Sequence, residues 1–303
     1  MSTLRSHRPR AGFTLIEVLI ATVIGVLVLT ASTSLALSTW QSLSGTQLRD
    51  GIDRNARFIG ISLTRDLQET GVDLESKAAF GALAVFGDTV TILRVPYDPT
   101  EAQPYPISTA NSPVGNCGAR CIEIQTGGVA PALSVGDVAL FQCLTDRRLI
   151  RITALAAVTG GYSVTFANVP TLLRHTGLKP TISNPTATFV QRLGTVVYWR
   201  TGTQLMRATT VSTTGVPQGE IAATGVQAFT PTLVFTDGHE ASQANGTDAD
   251  STNNYDQIAA IRVRMTLQAD RINPRINGGL LLTRPKEWYV VPRNLVYERN
   301  RIP

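Results

Sequence analysis

The chain has 303 residues, of which 43% are hydrophobic and 16% are charged, and its formal net charge is +5. This composition is ordinary for a globular protein and excludes disorder as the default state. Three of the arginines stand in the first twelve residues, so the remaining chain carries only +2 (+5 less 3) and is mildly basic. The sequence pI of 9.4 therefore overstates the charge of that remainder.

A basic leader precedes a long apolar segment at the start of the chain. Residues 1–12 contain three arginines, His7 and no acid, and no charged residue occurs from Val18 to Leu48. A bilayer core of about 30 Å is spanned by about 20 helical residues, so Val18–Leu37 is long enough to cross it. Basic residues before such a segment stay in the cytoplasm, which predicts an extracytoplasmic location for the rest of the chain.

One carboxylate interrupts the start of the apolar segment. Glu17 lies four residues after Phe13, which itself follows Gly12. A charge at this depth is costly in lipid and marks a functional site. The run from Gly12 to Leu19, Gly-Phe-Thr-Leu-Ile-Glu-Val-Leu, with its apolar continuation to about Ala31, closely resembles the type IV prepilins.

This resemblance implies how the chain is processed and what it becomes. A prepilin peptidase in the membrane would cut between Gly12 and Phe13, and the new amino terminus of Phe13 would be methylated. The mature subunit would then leave the inner membrane for a helical filament. There Glu17 would pair with the amino terminus of a neighbouring Phe13, because a buried charge needs a partner, and would fix the stagger between subunits.

Two simpler interpretations compete with this one. The segment is also compatible with a secretory signal peptide cut near Ala31 or Ala36, or with an uncleaved signal anchor. A signal peptide usually has an apolar region of only about 7–15 residues, and the run here is longer. Neither alternative accounts for Glu17 after Gly12 and Phe13, so we favour the prepilin interpretation.

The predicted helix continues beyond the membrane. Gly71 stands where a helix C-cap is expected, and no proline occurs between Phe13 and Gly71, unlike in many major pilins. A helix from Thr14 to Thr70 would be roughly 85 Å long. Apolar residues recur mostly every three to five positions along it, which is the helical period: Trp40, Leu43, Leu48, Ile52, Ile59, Leu63 and Leu67.

Short β-branched runs bounded by turn residues replace this pattern after Gly71. The run Ile258–Leu267 alternates, with Ile261, Val263 and Met265 on one face and Arg262, Arg264 and Thr266 on the other, and Gly160-Gly161 predicts a tight hairpin. The predicted strands are Thr89–Val95, Cys121–Gln125, Val138–Gln142, Leu149–Val158, Ser163–Phe166, Phe189–Arg200, Gln204–Thr209, Thr232–Phe235, Ile258–Leu267, Trp288–Val291 and Leu295–Glu298.

The sequence therefore predicts an α+β, pilin-like protein in three parts. Residues 1–12 are the leader peptide. Residues 13–71 form a long helix that is packed on a mostly antiparallel sheet and has a transmembrane segment at about 13–37. Residues 72–303 form an extracytoplasmic β-rich globular domain.

A looser resemblance extends into the second and third parts. These two parts resemble the PilW-type minor pilins. The J-type minor pseudopilins of type II secretion share the same motifs, and the chain length favours the PilW type. The segment Val135–Phe166 resembles a small inserted β-module. The motifs are Asn55–Phe58 and Leu63–Leu67 with Gly71 for the helix end, Val196–Arg200 and Leu205–Arg207 for paired central strands, and Val263–Leu267 and Val291–Asn294 near the end.

The three cysteines would lie outside the cytoplasm, where disulfides persist. Cys117 and Cys121 can close a small loop, and Cys143 can pair with either instead. A zinc site takes about four ligands, and no histidine stands near these cysteines. We therefore favour one disulfide of open connectivity over a metal site.

Other candidate sites have little support. His175 and His239 are expected to be solvated loop residues, and no nucleophile, phosphate-loop or zinc motif accompanies them, so we expect no enzymatic activity and no cofactor. In the polar loop Asp237–Asp256, Asp248 and Asp250 offer oxygens to calcium, but the loop lacks the terminal bidentate Glu. We interpret it as a flexible solvated loop.

Basic residues are frequent towards the end of the chain, and such a strip can contact DNA phosphates. Strand arginines also commonly form a solvated face, and only Trp288 and Tyr289 are available there as aromatic platforms, so DNA contact has little support. The basic residues are Arg262, Arg264, Arg271, Arg275, Arg284, Lys286, Arg293, Arg299 and Arg301.

Taken with the resemblance, these residues favour a minor type IV pilin that helps to initiate or cap pilus assembly. The implied partners are prepilin peptidase, other minor and major pilins and the inner-membrane assembly platform. The alternatives are a type II secretion minor pseudopilin, and a pilus-tip adhesin or DNA-binding minor pilin. A neighbouring retraction ATPase gene would favour pili, whereas secretin and secretion-channel genes would favour the pseudopilin.

Overall fold

The computed structural model describes residues 14–97, 104–109, 115–169, 182–212, 214, 216–245, 253–274, 276–295 and 297. It divides into two compact units, one of residues 1–51 with 271–282 and the other of residues 52–270 with 283–303. One helix, α1, spans Leu15–Gln68 and contributes to both units.

The first unit consists mainly of the N-terminal part of α1. Its large apolar side chains from Leu15 to Leu37 are exposed, and a window of 18 residues in α1 has a mean hydropathy of 2.4. Within the described residues, α1 is the one helix that is long and apolar enough to cross a bilayer. The hydroxyls of Thr22, Thr30 and Thr33 donate to carbonyls three or four residues earlier in α1. These bonds satisfy polar groups that would be costly in lipid.

The second segment of the first unit, residues 271–282, packs against the part of α1 around Ser44 and Leu48. Asn273 Nδ2 donates to Ser44 Oγ at 3.0 Å, and Leu48 is buried. A Cβ atom placed on Gly45 would lie 3.1 Å from Ile276 Cδ1, so the absence of a side chain there lets the segment approach the helix. A short 3-10 turn, Asn277–Gly279, follows.

Within the described residues, the second unit contains fourteen strands. Short 3-10 turns at Pro185–Ala187 and Tyr255–Gln257 precede β8 and β13. The strands are β1 Leu83–Phe86, β2 Thr89–Arg94, β3 Tyr105–Pro106, β4 Cys121–Gln125, β5 Val138–Cys143, β6 Asp146–Val158, β7 Gly161–Asn168, β8 Thr188–Thr201, β9 Gln204–Val211, β10 Pro217–Thr224, β11 Val226–Phe235, β12 Glu240–Ala241, β13 Ile258–Gln268 and β14 Thr283–Val290.

The strands form two antiparallel sheets. The larger sheet has ten strands in the order β1-β2-β8-β5-β6-β7-β4, with β3 and β9 also paired to β8 and β10 paired to β9. The smaller has the order β12-β11-β13-β14. Strand β8 is central to the larger sheet: its first half pairs with β3 and β5, and its second half pairs with β2 and β9.

The C-terminal part of α1 is packed in the second unit by one apolar stripe. Ile52, Ile59, Leu63 and Leu67 are all at most 3% exposed. Burying each such side chain contributes about 1.5–3 kcal/mol. A Cβ atom on Gly60 would collide with the Trp288 indole of β14, so glycine lets this tryptophan lie directly against the helix.

The segment predicted as an inserted β-module shares a hydrophobic core with neighbouring strands, because Tyr105, Ile122 and Val190, which lie outside the segment, belong to the same buried cluster. Phe141, Ile152, Val164 and Phe166 are buried together, and the rings of Phe141 and Phe166 meet edge to face at 5.9 Å. Strand β5 pairs with β8 from Val138↔Leu193 to Cys143↔Thr188, so the segment is continuous with the larger sheet.

The predicted α+β, pilin-like fold class is confirmed by one long apolar helix followed by mostly antiparallel sheets. The predicted alternation of Ile258–Leu267 is also confirmed, since Ile261, Val263 and Met265 are buried while Arg264 is exposed. The predicted hairpin is present, with β6 ending at Val158 and β7 beginning at Gly161. The predicted strand Leu295–Glu298 is wrong at its start, because residues 293–295 are helical.

Candidate functional site

The first turn of α1 carries the carboxylate that the sequence singled out. The Thr14 backbone N–H and hydroxyl both donate to Glu17 Oε2 at 2.9 Å. In return, the Glu17 N–H donates to Thr14 Oγ1 at 3.3 Å. This is a capping box, in which two side chains satisfy each other's free backbone N–H groups at a helix start. The Thr-x-x-Glu spacing encodes it, although the sequence analysis did not recognise it.

The capping box leaves part of Glu17 available. Its Oε1 accepts no hydrogen bond within the part of the chain that the structure describes, and the side chain stands on an exposed turn of α1. The carboxylate is also near the positive end of the helix dipole, which favours its negative charge. A cation from another chain therefore has an accessible acceptor here. Gly12 and Phe13, the predicted cleavage and methylation residues, lie outside the described residues.

At the other end of α1, a buried ion pair joins the helix to the larger sheet. Arg207 Nε and Nη2 donate to Asp66 Oδ2 and Oδ1 at 2.7 and 3.1 Å, and the Tyr198 hydroxyl donates to Oδ2 at 2.6 Å. Asp66 is 2% exposed. A carboxylate this deeply buried is stable only when it is paired and hydrogen-bonded, and these three bonds provide both.

The cluster perturbs the ionisation of its members. Burial, followed by the hydrogen bond to Asp66, raises the pKa of Tyr198 well above its ordinary value, so the phenol stays protonated. The hydrogen bond to Asp66 raises the pKa of Arg207, which keeps the guanidinium charged. Sequence analysis noted these residues only within loosely resembling motifs. The structure brings three of those motifs into one contact.

The cysteines are now assigned. Cys117 and Cys121 form a disulfide with a Cα–Cα distance of 5.1 Å. Cys143 is a free, buried thiol that lies 3.7 Å from Ser183 Oγ. The disulfide closes a small loop at the start of the edge strand β4.

The loop histidine His239 is more constrained than the solvated side chain that we predicted. Its Nδ1 lies 2.6 Å from Asp237 Oδ1 and its Nε2 lies 2.6 Å from Asn253 Oδ1. Its ring also stacks on Phe235 at 4.7 Å. The backbone hydrogen bond from His239 leads the causes that lower the pKa of Asp237.

Neither the calcium hypothesis nor the second histidine is addressed by the structure. His175, Asp248 and Asp250 fall outside the described residues. Among the residues that the structure does describe, no group of three His, Cys, Asp or Glu side chains is arranged to hold a metal ion.

The basic strip at the end of the chain is largely neutralised by carboxylates. Arg262 and Arg264 on β13 both pair with Glu240 and Glu287, at 2.6–3.3 Å. Arg284 and Lys286 on β14 both pair with Asp53, at 3.1 and 2.8 Å. Paired cations offer little charge to a phosphate, so the argument for DNA binding at this strip is weakened. Arg275, Arg299 and Arg301 lie outside the described residues.

Comparison with known proteins identifies one motif. A family model, the prokaryotic N-terminal methylation motif, matches residues 7–33. A search of curated proteins gave no match. The matched residues include the predicted cleavage position, Glu17 and the first half of the apolar segment, and α1 continues from them without a break. The motif and the helix together support a type IV prepilin-like or pseudopilin protein, and the apolar helix near the N-terminus fits a single-pass membrane anchor.

Proposed function

We propose that this chain is a minor type IV pilin of the PilW kind, a structural subunit that helps to initiate or cap a pilus. The observation that carries the proposal is the methylation motif at residues 7–33, which from Leu15 onward forms the start of the 54-residue helix α1. The far end of that helix is fixed to a β-rich domain through Asp66. A helix whose first part is apolar and whose last part is packed in a folded domain suits insertion into a helical filament.

The proposal assigns a fate to each part of the chain. Prepilin peptidase removes residues 1–12 and methylates Phe13. The apolar part of α1, to about Leu37, holds the subunit in the inner membrane, with residues 72–303 on the extracytoplasmic side. Other minor and major pilins and the inner-membrane assembly platform then draw the subunit into the filament.

Glu17 acts in this scheme as the acceptor for the amino terminus of a neighbouring subunit. Its Oε2 is occupied by Thr14, whereas Oε1 has no bond within the described residues. The capping box therefore orients the carboxylate and leaves one oxygen for a cation. Pairing removes most of the cost of a charge in an apolar bundle, so misaligned subunits would be disfavoured.

Two substitutions separate this intermolecular role from the local cap. Glu17→Gln keeps a side chain that can accept from the Thr14 N–H but removes the charge, whereas Glu17→Ala removes both. We expect both variants to be cleaved and inserted normally. We also expect both to lose most of their incorporation into sheared pili, measured by quantitative immunoblotting in a strain that lacks the wild-type gene.

The control is Thr14→Ala, which removes the hydroxyl and keeps the charge. Loss of an N-cap costs only about 0.5–2 kcal/mol of helix stability, so this variant should retain most of its incorporation. If Glu17→Gln incorporates like the wild type and Thr14→Ala does not, the carboxylate acts as a helix cap and the pairing role is wrong.

The same strain distinguishes the pilus from a secretion pseudopilus. Deletion of the gene should reduce surface pili and leave type II secretion intact. Loss of secreted proteins with normal piliation would instead identify a J-type minor pseudopilin. The DNA-binding alternative has weaker support, since four basic residues of β13 and β14 are already paired.

A further inference from the structure

The charged residues of α1 in the second unit are sorted between two faces. Its two carboxylates are engaged by cations of the sheets, since Asp53 pairs with Lys286 and Asp66 pairs with Arg207. Glu69, just after the helix, pairs with Arg94 of β2. The arginines of the same stretch point the other way, and Arg54, Arg57 and Arg65 are all exposed.

These arginines lie on one narrow stripe. At 100° per residue, positions 54, 57, 58, 61 and 65 fall within an arc of about 100°, opposite the buried stripe of Ile52, Ile59, Leu63 and Leu67. Along the helix axis, the two residues of this arc between Arg57 and Arg65 are apolar and large. Phe58 is 62% exposed and Ile61 is 64% exposed. We call these five residues, Arg54, Arg57, Phe58, Ile61 and Arg65, the outer stripe.

The outer stripe has little compensation inside the subunit. Within the residues that the structure describes, Arg54 and Arg57 make no ion pair, and Arg65 has one contact of 3.8 Å, to Asp66. Asp66 already accepts three shorter bonds from Tyr198 and Arg207, so it offers Arg65 little. Three cations thus flank two exposed apolar side chains, and among the described residues the one carboxylate within ion-pair distance of any of them is the already engaged Asp66.

Such a stripe has the composition of a protein interface. Aromatic residues and arginine are enriched at interface cores, and an apolar centre with charged neighbours gives both affinity and specificity. Helix faces recognise other helices through residues at i, i+3, i+4 and i+7, which is the spacing seen here. The stripe begins 17 residues after Leu37 in the sequence, so in the proposed scheme it belongs to the part of the chain outside the membrane-spanning segment.

We infer that the outer stripe is the docking face for the helix of a second, different pilin-like subunit that carries acidic residues beside apolar ones. This inference rests on the proposed function and specifies the chemistry of the partner. A copy of this chain is a poor partner, because it would present the same three arginines and like charges repel. A nucleic acid would use the arginines but would leave Phe58 and Ile61 without an apolar contact.

Site-specific photo-cross-linking in cells tests the inference on the full-length protein. A photoreactive amino acid replaces Ile61 in the outer stripe, and the control position is Ile221, an exposed residue of β10. Only position 61 should give an adduct with another chain that carries a Gly-Phe-x-x-x-Glu start. Mass spectrometry should map the adduct to an acidic stretch of that chain's helix.

Charge reversal makes the test specific. R57E/R65E should reduce the adduct by about fivefold or more, since opposed charges govern docking at such a face. R120E/R293E, two exposed arginines elsewhere in the unit, makes the same change of net charge and should leave the adduct unchanged. Replacing the carboxylates at the mapped site of the partner with arginine should restore the yield of the adduct in the R57E/R65E variant.

Several results would overturn the inference. These are an adduct that R57E/R65E leaves unchanged, an adduct with nucleic acid, lipid or a chain without the motif, or no adduct at position 61. The amino terminus of the same purified protein separates this failure from that of the proposed function. A terminus at Phe13 with any of these results sinks only the docking face, whereas an intact Met1 sinks the proposed function too.

Discussion

Arg207 on β9 donates two hydrogen bonds, 2.7 and 3.1 Å long, to the carboxylate of Asp66, which precedes it by 141 residues on α1. Tyr198 on the neighbouring strand β8 adds a third bond to the same carboxylate. Because all three donors are fixed by the pairing of β8 with β9, they accept only one placement of the helix on the sheet. The contact thus fixes where the C-terminal end of α1 lies on the larger sheet.

Asp66→Asn should destabilise the folded domain strongly. It removes the charge that compensates Arg207, and breaking a buried pair typically costs about 3–5 kcal/mol. Chemical denaturation of a fragment that starts at Trp40 measures the effect. Asp53→Asn is the matched control on the same helix, and it should cost far less because the Asp53 pair with Lys286 is more exposed. Equal losses in the two variants would contradict the role given to the buried cluster.

Tyr198 should make the domain sensitive to alkaline pH. Its pKa is raised above the ordinary value of 10.0 by burial first and by Asp66 second, so the folded protein keeps a proton that the unfolded chain releases. The folded state then binds more protons, and stability falls as the pH rises above about 10, while below it the contribution is complete. Tyr198→Phe should show a shallower fall of Tm between about pH 9 and about pH 11. An unchanged slope would show that Tyr198 titrates normally in the fold.

The free thiol and the disulfide should behave differently on labelling. Cys143 is 3% exposed and should resist alkylation in the folded protein, then react once the protein is unfolded without reductant. Cys117 and Cys121 should react only after reduction. Reduction itself should cost about 2 kcal/mol or less, because so short a loop removes little chain entropy. A peptide that links Cys143 to either of the others would contradict the assigned pairing.

The helix was the part of the fold that local pattern predicted best. We expected Thr14–Thr70 and the structure has Leu15–Gln68, because a 3.6-residue period and the positive-φ glycine Gly71 are both local features. Strand β13 was equally clear, since buried and exposed residues alternate along it. In both elements one face is buried, and the apolar residues of that face recur at the period of the element, which makes the element visible in the sequence.

The strands that the sequence did not predict lack a regular alternation of apolar and polar residues. Strand β10, Pro217–Thr224, is an edge strand with most side chains exposed, so nothing imposes alternation on it. Strand β11 was predicted only over Thr232–Phe235, because Pro231 interrupts the run and proline normally argues against a paired strand. Here Pro231 is opposite Val263 in the ladder.

The local sequence pattern also could not predict which residues far apart in the chain form ion pairs. Nothing in the local sequence separates the charged residues of the helix into two sets, yet Asp53 and Asp66 face the sheets while Arg54, Arg57 and Arg65 face outward. Which carboxylate meets which cation depends on how α1 is placed on the sheets, and this placement joins residues more than 100 positions apart.

Removing the helix should expose how much the β domain depends on it. A fragment that starts at Val72 lacks Asp66 and the buried stripe of Ile52, Ile59, Leu63 and Leu67, whereas one that starts at Trp40 keeps them. Each stripe residue contributes about 1.5–3 kcal/mol, against a typical domain stability of 5–15 kcal/mol. We expect the longer fragment to be soluble and the shorter one to aggregate or melt far lower. Equal melting temperatures would show that the helix does not stabilise the domain.

The amino terminus of the protein isolated from membranes tests the central claim most directly. If the chain is a prepilin processed at its methylation motif, intact-protein and N-terminal peptide mass spectrometry should find a chain that begins at Phe13 and carries a methylated amine. A prepilin-peptidase deletion strain should yield the same protein with residues 1–12 still attached. A terminus near Ser32, or an intact Met1 in the strain that has the peptidase, would contradict the account.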